Sequence, residues 1–301
     1  MVTSRLGGSD LEVSRVGLGC NNFGRRLDAG ATRAVVDAAL DAGIGFLDTA
    51  DVYGGGGGSE RFLGEALAGR RDRVVLATKF GHAMDGVDGD GPGGSPAYVR
   101  RAIASSLERL ATDRVDLYYY HRPDGVTPIE ETVGAMRELV DEGKVRWLGL
   151  SNVDAAQIRR AVEVAEIVAV QNYYSLMRRD DDAEVLPLCR ELGIGYVPYF
   201  PLESGLLTGK YRRGEAAPEG SRLAGSADRL TDERLGRAEE LEALAARHGH
   251  TLLELAVGGL ASIPGVASVI AGATSPEQAR ANAAAGGWQL TGAELAELDA
   301  L

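Results

Sequence analysis

Short apolar runs alternate along this chain with longer stretches whose apolar residues recur at helical spacing. The runs fall at 16–19, 45–47, 74–77, 115–120, 146–150, 168–170, 195–200 and 267–270. Continuous apolar runs bounded by turn residues predict strands buried on both faces, as in a parallel sheet. Helices are predicted between them over 31–42, 96–110, 128–141, 154–164, 181–192 and 276–285. The first of these runs into Gly43, a residue suited to the left-handed helix end. Eight strand–helix units point to a closed (β/α)8 TIM barrel or a large open sheet. No G-x-G-x-x-G opens a helix directly after a strand, which weighs against the open dinucleotide-binding sheet. No linker interrupts the rhythm, so residues 1–301 read as a single domain.

Four segments depart from the alternation. Gly7-Gly8-Ser9-Asp10 lies between two short stretches, 5–6 and 11–15, and predicts a β-hairpin that covers the lower mouth of the barrel. Residues 81–95 and 201–230 are long connections rich in glycine and charge, and such connections in a compact fold are usually functional or disordered. Residues 291–301 predict an extra C-terminal helix, with Thr291 and Glu294 spaced as a capping box.

With 301 residues, 45% of them hydrophobic, the chain can bury a large core without disulfides or metals. Cys20 and Cys189 form no Cys-x-x-Cys pair, which points to free thiols and a cytoplasmic protein. The net charge of −12 argues against nucleic acid as a partner. No apolar run approaches the roughly 18–20 residues of a membrane span, and residues 1–11 lack the apolar stretch of a signal peptide.

The strand ends carry the chemistry. The second run ends in Asp48, followed by Tyr53; the third ends in Lys79; the fourth ends in His121. Any one of these is unremarkable, since a lone lysine snorkels and a lone histidine is most often a structural hydrogen-bonder. Together, at successive strand ends, they would converge on the face where barrels place their active sites. Carbonyl reduction fits them. Tyr53 would be the general acid, its reluctant phenol brought down by the Lys79 ammonium, with Asp48 partnering the lysine. His121 would orient the carbonyl oxygen. Phe23 and Phe80, with Tyr53, His82 and His121, are expected to line an aromatic substrate pocket.

These motifs resemble the aldo-keto reductases, in particular the bacterial branch that is also similar to the potassium-channel β subunits. Asp48-Thr49-Ala50 with Tyr53-Gly54 is similar to the family's first signature, and His121-Arg122-Pro123 to its strand-four histidine motif. The resemblance runs in order from the hairpin to about Asn282. It implies NADP(H), which the strand-eight motif favours over NAD(H), and a small carbonyl or alcohol substrate. Gly19, Cys20, Asn21 and Asp48 would border the cofactor, with Ser151, Asn152 and Gln171 on its carboxamide and Tyr199 stacked on the nicotinamide. Phe200, Pro201, Leu202, Ser204 and Lys210 belong to the segment that would wrap the pyrophosphate, where Glu203 is unusual and expected to face solvent. Gly272, Thr274, Gln278 and Asn282 would meet the adenosine end, with Thr274 opening a helix and Arg222 adding charge.

Two rival readings follow. A cofactor-binding regulatory subunit resembling the channel β proteins would share this site, but those proteins typically lack the histidine that stands here as His121. Metal-assisted hydrolysis would need a clustered ligand set, and the four histidines, His82, His121, His248 and His250, offer none. Asp85, Asp88 and Asp90 lack the later bidentate glutamate of a calcium loop.

Overall fold

The structure, a computed structural model, describes residues 2–82 and 93–301. Strands β1 (Thr3–Arg5) and β2 (Glu12–Ser14) pair antiparallel as the expected hairpin. Eight further strands make one parallel sheet: β3 (Val16–Gly19), β4 (Phe46–Asp48), β5 (Val75–Phe80), β6 (Val115–Tyr120), β7 (Val145–Ser151), β8 (Ile167–Gln171), β9 (Gly195–Tyr196) and β10 (Val269–Gly272). Their order is β10-β3-β4-β5-β6-β7-β8-β9. The ends of that order meet. Tyr196 N–H donates to Gly265 C=O and Ile270 N–H to Pro198 C=O, with parallel bridges at Tyr196–Val266 and Tyr199–Ile270. The sheet is therefore the closed (β/α)8 barrel.

Strand β9 is shorter than its apolar run because Pro198 has no N–H to give the ladder; its carbonyl still accepts from β10. The expected helix over 181–192 starts late, at Val185. The carboxylates just before it are taken: Asp181 by Asn172 and Tyr196, Asp182 by Tyr174 and Arg179. The alternation also hid helices Gly58–Ala66 and Asp232–Arg247. The second is plain in retrospect, with Thr231 accepting from Arg234 N–H at its start and Leu235, Ala238, Leu241, Leu244 and Ala245 facing inward. The terminal helix Gly292–Asp299 carries the expected Thr291–Glu294 capping box. Among the described residues no helix is long and apolar enough to cross a membrane.

The hairpin closes the barrel floor. Leu6, Leu11 and Val13 are buried in one cluster with Phe46, Ala77, Leu117, Tyr119, Val168 and Val197. Polar contacts seal the rim: Arg146 bridges Asp10 and Asp116, and Trp147 Nε1–H donates to Asp10 at 2.8 Å. The opposite face, at the C-terminal ends of the strands, stays open. Leu6 fills the space between turn and strands with no exposure. Leu6→Ala is expected to cost about 2–5 kcal/mol in urea unfolding. A loss below about 1 kcal/mol would show that the hairpin is an ornament rather than part of the core.

Candidate active site

At the open mouth three strands are cross-linked from inside. The Lys79 ammonium, fully buried near the end of β5, pairs with Asp48 Oδ1 at the end of β4 and donates to Thr49 C=O at 3.0 Å. Asp48 Oδ2 accepts from Gln171 Nε2 of β8 at 2.9 Å. Burial opposes the charge on Lys79, but Asp48 and then Tyr53 outweigh it and hold the amine above its ordinary value.

Tyr53 reaches the site through the turn that follows β4. Gly54 has φ +71°, and a Cβ there would lie 2.6 Å from both Phe23 C=O and Ser59 N, so only glycine fits. The Lys79 nitrogen lies 5.3 Å from the centre of the Tyr53 ring, and His121 meets that ring edge-on at 5.8 Å between centroids. The phenol departs from expectation. Lys79 does pull its pKa down, but burial pushes harder, and Tyr53 ends above its ordinary value. His121 is held well below the histidine range by burial, then by Lys79, His82 and Arg122, so it is neutral at pH 7. Its buried Nδ1 has no hydrogen-bond partner among the described residues.

Above these groups runs a cavity of about 590 Å³. Asp48, Tyr53 and His121 line it, while Lys79 lies behind them. Every residue expected at the cofactor lines it too, from Gly19, Cys20 and Asn21 through Ser151 and Gln171 to Asn282. The donor set fits a nicotinamide dinucleotide. Gln171 keeps its amide oxygen free once its nitrogen is on Asp48, and the Ser151 hydroxyl accepts from Asn152 while its own proton stays available. Gly19 and Gly272, paired across β3 and β10, leave part of the floor without side chains. Lys210 and Arg222 line the cavity with no ion pair among the described residues. Arg222 is lowered by burial and then by repulsion from Arg26, Arg229 and Arg25, a cluster that an anion would relieve. The Asn152 amide is engaged by His121 C=O, Ser151 and Tyr199.

Several expectations need correcting. Glu203 does not face solvent. It is buried and accepts from Tyr173, Ser175 and Arg234, an arrangement that lets a charge sit inside and anchors the loop. Thr274 does not open its helix. Ser275 is the cap, with Pro276 next, while Thr274 is tied to Gln278 Oε1. Phe23 and Phe80 do not line the cavity. Phe80 stacks between Tyr118 and Tyr120, and both phenylalanines are core. Sequence reasoning missed Arg26, Val52 and Arg122, which do line it. The adjacent Arg25-Arg26 after β3 and the Arg122 that follows His121 were the available signals. Residues 83–92, with Asp85, Asp88 and Asp90, lie outside the described residues.

Of the five non-glycine residues with positive φ among the described residues, four border this mouth: Asn152, Phe200, Glu203 and Ser204. Strain of that kind persists where surrounding structure fixes it, and it concentrates at functional sites.

Comparison with known proteins agrees with this geometry. The model of the Aldo/keto reductase family matches residues 15–301. A probable aldo-keto reductase from Glycine max is 42% identical over 262 residues, covering 84% of this chain and 75% of its own. A glycerol dehydrogenase from Gluconobacter oxydans superposes with a TM-score of 0.87 at 31% identity, covering 99% of this chain and 94% of its own. An aldo-keto reductase from Bacillus halodurans, in its holo form, superposes at 0.82 with 34% identity, covering 100% and 96%.

Behind Tyr53 lies a second buried acid. Burial, then Glu60, raise the Asp51 carboxyl to about 8 against the pull of Arg109 and of hydrogen bonding from Val52 N–H and Tyr98. A carboxyl raised in the folded state holds a proton that the unfolded chain has lost, so stability falls as pH rises toward 8. Below about pH 7.5 His82 and His121, both lowered in the fold, act in the opposite direction, because the unfolded imidazoles still bind part of a proton. Urea unfolding of the wild type and of Asp51→Asn between pH 6.5 and 8 separates the two: relative to the variant, the wild type should lose stability as pH rises, by at most about 1.4 kcal/mol per pH unit. Identical pH slopes in the two proteins would mean Asp51 is ionised in the fold.

Proposed function

The chain belongs to the aldo/keto reductase family, and from that premise we propose that it reduces an aldehyde or ketone to an alcohol with NADPH, Tyr53 supplying the proton. The observation that carries the proposal is the buried Asp48–Lys79 pair set beneath Tyr53 at the mouth of the barrel. The nicotinamide, when bound, supplies the hydride that adds to the carbonyl carbon. As that bond forms, the carbonyl oxygen becomes an alkoxide and takes the Tyr53 proton. A phenol held above its ordinary pKa stays protonated at neutral pH and is still a far stronger acid than the alcohol it makes. The Lys79 ammonium then stabilises the phenolate, and Asp48 keeps that ammonium charged. Neutral His121 directs the oxygen by hydrogen bonding without competing as an acid. Solvent returns the proton to Tyr53.

NADP(H) rather than NAD(H) is supported by three cations along the cavity that make no ion pair among the described residues, Arg26, Lys210 and Arg222, in a chain of net charge −12. Acidic proteins concentrate such groups where a polyanion is to be held.

Turnover of an aldehyde panel with NADPH tests the reaction itself. Tyr53→Phe should lower kcat on the order of 10²–10⁴-fold with NADPH affinity nearly unchanged. Lys79→Met should do comparable damage. Wild-type turnover in the tyrosine variant would move the proton donor to another group, His121 first. A separate measurement addresses the cofactor. Arg222→Ala should weaken NADPH by about 1.5–3 kcal/mol and NADH by less. Equal losses for both cofactors would mean that Arg222 does not read the 2′-phosphate.

A further inference from the structure

Among the described residues, four cations without an ion pair line the cavity: Arg26, Lys210, Arg222 and Arg122. Arg26 and Arg222 repel one another, and Lys210 lies against Gly205 in the loop assigned to the cofactor. Arg122 stands apart from this group. The groups that feel its charge are His82, His121 and Tyr199, at the Tyr53 end. Among the described residues Arg122 makes no hydrogen bond and no ion pair. The acid nearest in sequence, Asp124, cannot neutralise it. Its oxygens accept from the N–H groups of Gly94, Val126 and Thr127 and from the Thr127 hydroxyl. Asp48 is the one acid that lines the cavity among the described residues, and both its oxygens are occupied by Lys79 and Gln171.

Of the aromatic lining that the sequence suggested, Phe23 and Phe80 face the core, while Tyr53, His82 and His121 line the cavity. His82 and His121, packed edge-on at 4.7 Å between centroids, are the neighbours of Arg122. A guanidinium with no partner, beside two imidazoles and at the reacting end, has the donors to hold a planar anion by two parallel hydrogen bonds.

We propose that Arg122 is a specificity-determining residue, and that the preferred carbonyl substrate bears an anionic group, a carboxylate or a phosphate monoester, which Arg122 holds while the carbonyl meets Tyr53 and His121. This rests on the reductase reading above. The net charge of −12 would otherwise disfavour such substrates, so a local unpaired cation is what would admit them.

The test compares matched probes with the NADPH-loaded protein. 4-Carboxybenzaldehyde should exceed benzaldehyde in kcat/KM by about 10- to 100-fold, the worth of one charge-assisted contact. Arg122→Gln should collapse that ratio toward one, and Arg122→Lys should restore part of it. Glyceraldehyde 3-phosphate against glyceraldehyde distinguishes a phosphate from a carboxylate preference. Turnover of the neutral probes with no charged preference in either pair, or a ratio that Arg122→Gln leaves intact, would overturn the proposal. Calorimetric titration of the NADP⁺-loaded protein with benzoate, phenyl phosphate and benzyl alcohol needs no turnover. If an anion binds tighter than the alcohol and loses that advantage in Arg122→Gln, Arg122 is an anion-holding residue even where no aldehyde is consumed, and only the reductase reading fails. If neither anion binds better than the alcohol, Arg122 does not select charge.

Discussion

Holding the Lys79 ammonium and the Asp48 carboxylate together inside the barrel is tolerable only because each finds further partners. Taking two charges out of water costs several kcal/mol per ion, and their attraction offsets that only when the remaining lone pairs and protons are met. Here Thr49 C=O takes one more ammonium proton and Gln171 meets the second carboxylate oxygen. The pair thereby ties β4, β5 and β8 across the barrel lumen. Removing either partner would strand a buried charge, commonly at about 3–5 kcal/mol. The position of Tyr53 follows from the pair, because its ring lies over the ammonium and the Gly54 turn swings it there. His121 depends on it as well, since Lys79 is among the charges that keep it neutral.

The loop above the site obeys the same rule at its edge. Glu203 is as buried as Asp48, at 2% exposure each, and is likewise surrounded by donors. Its three partners come from residues after β8 and from helix Asp232–Arg247, so the positive φ of Glu203 and Ser204 is held from two directions. Backbone N–H groups along this turn are thus positioned before any ligand arrives, which reduces the ordering cost of binding.

The barrel was legible because parallel strands buried on both faces leave continuous apolar runs, and polar residues at their ends had no core role to play. Asp48, Lys79 and His121 stood out on those grounds alone. What stayed hidden was hidden for physical reasons. The run 195–200 did not disclose that the ladder, interrupted at Pro198, resumes at Tyr199 against Asn172 and Ile270. Helix Gly58–Ala66 begins on the last of five consecutive glycines, a residue type that disfavours helices. The burial of Glu203 depends on Tyr173, Ser175 and Arg234, residues distant in sequence that only the closed fold assembles. The net direction of the Tyr53 shift turns on the depth of its burial, a quantity that no local pattern contains.

The seam of the barrel joins β3 to β10, pairing Val16 with Val269 and Gly19 with Gly272. Residues more than two hundred positions apart must therefore meet before the sheet has no edge. A nascent chain emerging from the ribosome holds β3 early and must wait for nearly its whole length before the matching strand appears. Until then an apolar parallel edge is exposed, the kind of surface that invites association with other chains. Joining the present termini and opening the chain elsewhere would make this seam local and move the wait to another pair of strands.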